Sequence, residues 1–265
     1  MEVHAHTHTE RKRLKHYLFE FLMLFLAVFC GFLAEYQLEH TIEGQREKQY
    51  AKELYAELFA DSIAVADKIH LRLEKEKDMD YLSGYLKDSS LAVLPRDFYP
   101  AYTTVMYLAN TYAFEPKDGI LSQLKSSGSL RYFKNPTLQK LFGDISVSIN
   151  NLRYRNEQEY QFFANPIKPF MLKHYDFNWM NELRKGDENE TAINLVYRYR
   201  KSDTIISAGI LNLSSFDRGD ATNMIAFYKQ MLVSTRTLQM NDYIKANTKL
   251  LGELRQNYPV GIPSE

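Results

Sequence analysis

The side chains in this sequence that are suited to chemistry are few and scattered. Ser122 and Lys125 form an S-x-x-K pair, the spacing at which a lysine helps activate a serine nucleophile for acyl transfer. The companion K-T-G and S-D-N elements are absent, so the pair reads as helix surface. His40, His70 and His174 belong to no H-x-x-x-H pair and lie beside no cysteine at ligand spacing, so they define no zinc site. His4, His6, His8 and His16 alternate in the N-terminal segment, where neutral imidazoles can hold a divalent metal weakly; a solvated polar tail is the simpler account. Ser126–Ser127–Gly128–Ser129 offers backbone donors to an anion, but it sits between a helix end and the Asn135–Pro136 helix start, which marks a turn. There is no P-loop, no G-x-G-x-x-G and no G-x-S-x-G. Cys30 is the only cysteine, which excludes an intramolecular disulfide and a multi-cysteine metal site. Asn189–Glu190–Thr191 and Asn212–Leu213–Ser214 fit the glycosylation pattern, which matters only in a eukaryotic secretory pathway. The sequence predicts no catalytic residue, no cofactor and no metal.

Composition points to long regular elements. The chain has 265 residues, 45% of them hydrophobic, with only 8 Pro and 11 Gly, so it is not a disordered chain. Lys+Arg and Asp+Glu are both 33; a neutral balance argues against nucleic-acid binding, which needs a basic surface. The 19 Tyr and 16 Phe read as large core side chains, with an aromatic ligand surface as the alternative.

One segment is set apart. Phe21–Ala34 reads FLMLFLAVFCGFLA without a charge, only about 21 Å as a helix, against a hydrocarbon layer of roughly 30 Å. Including its flanks, Tyr17 to Tyr36 gives about 30 Å. The two tyrosines then lie where interfacial aromatics are expected, and Glu20 and Glu35 fall near the interfaces rather than at the midplane. A cleaved signal peptide would want an A-x-A-like site, for which Leu33–Ala34–Glu35 is a poor substitute. A lipoprotein signal would want a small residue before Cys30, where Phe29 stands. The segment 17–38 is therefore expected to be an uncleaved transmembrane helix.

Arg11, Lys12, Arg13 and Lys15 precede it, whereas the first basic residue after it is Arg46. The positive-inside rule then puts residues 1–16 in the cytoplasm and 39–265 outside it, periplasmic in a bacterium with two membranes, so the expected location is the inner membrane. Around the helix, Glu20, Ala27, Gly31, Ala34 and Leu38 fall within about 60° of one another, away from Phe25, Phe29 and Phe32. Ala27 and Gly31 make a small-xxx-small pair that permits close approach of another helix.

The remainder reads as helices. Glu39–Asp88 is expected to be one long membrane-proximal helix, with Tyr55, Leu58, Ser62, Ala66, Ile69 and Leu73 as its apolar stripe and Arg72 and Glu74–Asp78 on a solvated face. Ser89–Pro100 reads as a loop and Ala101–Phe114 as a helix. A short helix over Ile120–Lys125 closes at Gly128. Asn135–Pro136 caps a helix with Leu138, Leu141, Phe142, Ile145, Ile149 and Leu152 inward; it is expected to stop at Asn165–Pro166. Lys185–Glu190 reads as an exposed loop and Thr191–Leu213 as short helices. Asp217 or Asp220 caps a last long helix to about Tyr258, carrying Met224, Phe227, Met231, Leu238, Leu250 and Leu254.

Two stretches carry a resemblance. EFLMLFLAVFCGFLAEYQLEH (Glu20–His40) places an acidic residue at the entry of a membrane segment with small residues inside it, leading into a polar Glu/Gln stretch. LKSSGSLRYFKNPTLQKLF (Leu124–Phe142) holds a Ser-Gly-x-Leu turn before a helix led by Asn135, with Leu138 three residues on. Together they are similar to a family of uncharacterised single-pass membrane proteins common in Bacteroidota, though the membrane segment here is more aromatic. The resemblance implies an anchored helical architecture and brings no activity, cofactor or catalytic residue.

The expected protein is all-α: one N-terminal transmembrane helix, then an irregular extracytoplasmic helical bundle. Its expected partners are the lipid bilayer and a membrane or periplasmic protein, or a second copy of itself. A non-enzymatic interaction or structural role leads; a sensory or ligand-binding domain working with a partner follows, and an enzyme of unknown class comes third.

Overall fold

The computed structural model describes residues 14–108 and 110–261. Arg11, Lys12, Arg13, His4, His6 and His8 lie outside the described residues. The described residues are mostly helical, with no strand among them. The chain divides into two units, Met1–Tyr50 and Ala51–Glu265, and helix α1 (Leu14–Asp88) contributes to both.

In the first unit α1 carries the one described helix long and apolar enough to cross a membrane, near the N-terminus, with none of that window buried. Along it Phe21, Phe25 and Phe29 stack at 6.3 and 6.0 Å between ring centroids, and Tyr36 meets His40 edge-on at 4.3 Å. Gly44 does not end the helix.

The second unit is a bundle built on the Ala51–Asp88 part of α1. Around it lie α2 (Phe98–Tyr102), α3 (Gly119–Ser126), α4 (Pro136–Phe162), α5 (Lys168–His174), α6 (Phe177–Arg184), α7 (Ala192–Lys201), α8 (Arg218–Ser234) and α9 (Asn241–Asn257). The ends follow local chemistry. Asn135 accepts hydrogen bonds from the backbone N–H groups of Thr137 and Leu138, with Pro136 in the first turn. Asp217 caps α8 through the N–H of Asp220, and Gly128 takes φ 71° after α3. The expected stripe of α4 is buried along its length. Part of the aromatic load is core: Tyr99, Tyr102, Tyr175 and Trp179 pack together inside the bundle, with Tyr99 at 5.4 Å from both Tyr175 and Trp179, whereas the aromatics of the apolar segment and others such as Tyr154 and Tyr197 are exposed.

Several expectations are corrected. Ala101–Phe114 is not one helix: α2 begins earlier, at Phe98, runs into a π-turn at Thr103–Tyr107, and Asn110–Tyr112 is a separate 3-10 turn. Pro100 lies inside α2 rather than in the preceding loop. Pro166 does not stop α4. A π-turn, Phe163–Ile167, carries the chain through it into α5; an α-turn would set the proline ring against the Phe162 carbonyl, and the wider turn relieves that clash. A third π-turn, Thr235–Met240, divides the last helix into α8 and α9, and Phe227 and Leu238, placed in its stripe by sequence, are exposed.

The largest correction concerns α1. Its buried stripe is Ala51, Leu54, Leu58, Asp61, Val65, Arg72, Lys75, Met79, Leu82 and Leu86, with Lys68 half-buried in the same register. Ala66 and Leu73, placed in the core by sequence, are exposed. The steps alternate strictly between three and four, as in a heptad seam. Arg72, Lys75, Glu76 and Asp78, expected on the solvated face, are inside. An apolar count misses this register because charged residues occupy four of its positions.

Candidate polar core and adjoining cleft

A buried charge costs several kcal/mol unless paired and hydrogen-bonded, so the charged positions of α1 dictate what faces them. Arg72 is 0% exposed. Its Nη1 and Nη2 donate to the two carboxylate oxygens of Glu159 on α4, at 3.0 and 2.8 Å, and its Nε donates to the Tyr112 carbonyl at 2.9 Å. The Thr235 hydroxyl also donates to Glu159, while Arg155 donates to that hydroxyl at 3.1 Å. Asp61 accepts from the Tyr243 hydroxyl and the Lys117 backbone N–H, both at 2.8 Å. Burial nevertheless holds its carboxyl above the usual range. Lys68 donates to the Thr111 carbonyl at 2.6 Å. Arg236 forks onto Glu76 through two bonds of 2.8 Å.

Lys75 is the exception to full pairing. It is 0% exposed, and its ammonium has three donors. One hydrogen bond, 3.3 Å to the Tyr228 hydroxyl, serves them; otherwise the nitrogen lies 4.5 and 4.7 Å from the ring centroids of Tyr112 and Tyr228. The rings offer cation–π attraction, but burial pulls the amine down to about 7, against the pull of Glu159 in the other direction.

Two π-turns serve this core. Thr103–Tyr107 presents Thr104 toward Asp78 and Arg200, and Thr235–Met240 presents Thr235 and Arg236. Such turns interrupt helical register and recur at functional sites.

A cleft of about 360 Å³ opens beside the polar core. Asp78, Thr104 and Tyr112 are buried in its lining, and Arg200 of α7 donates from Nη2 to Asp78 at 2.7 Å. Burial raises the Asp78 carboxyl above its ordinary value while Arg200 opposes the shift. His70 and Glu74 of α1 and Ile193, Val196 and Tyr197 of α7 complete the lining with Leu71. The ring of Tyr112 both lines this cleft and covers Lys75. A more open cleft of about 530 Å³ lies among Phe162, Phe170, Met224 and Phe227, with Asp220 and Asn223 also in its lining.

Of the residues singled out by sequence, His70 lies in the charged cleft. His174 is buried against Phe170 and Phe216 with its Nδ1 2.9 Å from the Leu211 carbonyl, a packing role. Ser122 and Lys125 do not meet: Ser122 donates to Asp118 at 3.1 Å and Lys125 donates to Ser146. Tyr17, Glu20, Ala27, Gly31, Ala34, Tyr36 and Lys15 are all exposed on α1 in the first unit, with His16 3.2 Å from Glu20. Among the described residues no group of three or more His, Cys, Asp or Glu is placed to hold a metal. Comparison with known protein families, with curated proteins and with solved structures found no match.

Proposed function

We propose that this is a single-pass, non-enzymatic membrane protein of the inner membrane that acts through helix-mediated contacts with a membrane or periplasmic protein or with itself. The observation that carries this is the anchor helix: its apolar window is unburied within the chain, and a side chain built at Gly31 would meet nothing within 4 Å. Glu20, Ala27, Gly31 and Ala34 form the contact face, Tyr17 and Tyr36 sit at the interfaces, and Arg11, Lys12, Arg13 and Lys15 hold the tail on the cytoplasmic side. The resemblance to the Bacteroidota membrane family supports the same architecture. Protease added to spheroplasts should remove the 39–265 portion; full protection overturns the orientation. Purification in mild detergent with mass spectrometry of co-purifying chains should recover a partner or a homo-oligomer; a clean monomer overturns the interaction role.

The cleft between α1 and α7 favours a second reading, in which the helical unit binds a small ligand and works with a partner. Apolar walls around a few convergent polar groups are what small-molecule sites share.

A further inference from the structure

The cleft is lined by charges of both signs, with Asp78 of α1 and Arg200 of α7 joined in an ion pair. Glu74 and Asp78, one turn apart on α1, supply carboxylates, Glu74 with one oxygen already bonded to Lys77 at 2.8 Å, and Arg200 on α7 supplies a guanidinium. Both contacts of Arg200 here, to Asp78 at 2.7 Å and to Thr104 at 3.5 Å, run through Nη2, which leaves Nε and Nη1 to donate to an incoming anion. Arg200 donates to Oδ2 of Asp78, and Oδ1 can accept from an incoming cation. Leu71, Ile193 and Val196 form an apolar wall beside these groups, and Tyr197, 61% exposed, stands at the cleft as an aromatic face. The volume of about 360 Å³ lies at the low end of the roughly 300–1,000 Å³ spanned by small-molecule pockets, too small for a nucleotide cofactor and adequate for one amino acid.

From the opposed charges and the apolar wall we infer that this cleft binds a small zwitterion with an apolar substituent, an α-amino acid. Its ammonium lies against Asp78 and Glu74, its carboxylate on the free edge of Arg200, and its side chain on Ile193 and Val196. A ligand with only one of the two charges brings a net charge to the already neutral Asp78–Arg200 pair and uses only one side of it, which is the basis of discrimination. The inference rests on the ligand-binding reading and narrows it.

The test uses the full-length protein in mild detergent and calorimetric titration with L-phenylalanine, L-phenylalaninamide and N-acetyl-L-phenylalanine. Phenylalanine should bind, and the amide and the acetylated form, each lacking one charge, should bind at least tenfold more weakly. In Arg200→Gln the gap between phenylalanine and the amide should close while the gap to the acetylated form persists, a pattern that mere loss of structure does not produce. The three-ligand comparison on the unmodified protein stands even if that variant does not fold. Equal affinity for phenylalanine and either derivative, or no binding of any of the three, overturns the inference. A thermal-melt survey of sugars, monocarboxylates and polyamines separates the two levels: stabilisation by one of these without phenylalanine overturns the zwitterion and keeps the ligand-binding reading, and stabilisation by neither phenylalanine nor any of these overturns both.

Discussion

Arg72 and Glu159 face each other across the bundle through two parallel hydrogen bonds of 3.0 and 2.8 Å, with the arginine wholly out of water. The pair joins the middle of the Ala51–Asp88 part of α1 to the last turns of α4, and Thr235 of a π-turn completes the carboxylate's partners. Removing one member strands the other charge. Glu159→Leu should therefore destabilise by about 3–5 kcal/mol, whereas Arg72→Met with Glu159→Leu should recover most of that loss. Urea unfolding of the full chain in mild detergent measures both. A double variant as unstable as the single one would mean that packing, not the stranded charge, sets the cost.

Lys75 makes stability depend on pH. Its amine falls from 10.5 to about 7 in the folded protein because burial disfavours the charged form. Below about pH 7 both states hold the proton; between there and 10.5 only the unfolded state does. Stability from this group is thus full above its unfolded value and lost as pH falls through about 7. Chemical unfolding should show stability rising between about pH 7 and pH 10, by up to roughly 4 kcal/mol. Lys75→Met should flatten most of the rise, leaving the smaller part of Lys68, whose amine burial also lowers. An equal slope in Lys75→Met rules this lysine out as its source.

How much was legible in the sequence follows from what each signal depends on. Caps such as Asn135 and Asp217 act over two or three residues, so they read directly. The long apolar helix near the N-terminus reads from its apolar run, and the stripe of α4 from Leu138 to Leu152, because every inward position there is apolar. The seam of α1 does not, because Asp61, Lys68, Arg72 and Lys75 interrupt it, and their partners Tyr243, Thr111, Glu159 and Tyr228 lie 40 or more residues away. Strict alternation of three- and four-residue steps from Ala51 to Leu86 was the available signal. The cleft was less legible still: His70 looked isolated because Arg200 reaches Asp78 only through folding. The π-turns have no local signature beyond Pro166.

Asn135 offers a contained test of the α4 start. Its side-chain oxygen accepts from Thr137 at 2.8 Å and its amide donates to Glu253 at 3.0 Å. Asn135→Ala removes the cap and should cost about 1 kcal/mol; Asn135→Asp keeps the cap, but sets a negative charge against Glu253. Unfolding midpoints should thus order wild type above both variants, and added salt should narrow the gap for Asp alone. A salt-insensitive Asp variant would show that repulsion by Glu253 is not its cost.

The contact face proposed for the apolar helix yields the last prediction. A leucine at Gly31 has open space in this chain, since nothing lies within 4 Å of a Cβ there. The substitution keeps the segment apolar, so insertion should be unchanged and the fold undisturbed. Only a second helix seated on Ala27 and Gly31 would feel the added side chain, through lost close approach. Gly31→Leu should therefore leave membrane fractionation intact and weaken crosslinking of the embedded protein several-fold. Phe25→Leu, on another side of the helix, should leave crosslinking unaltered. Equal crosslinking in wild type and Gly31→Leu would assign the helix to lipid contact alone.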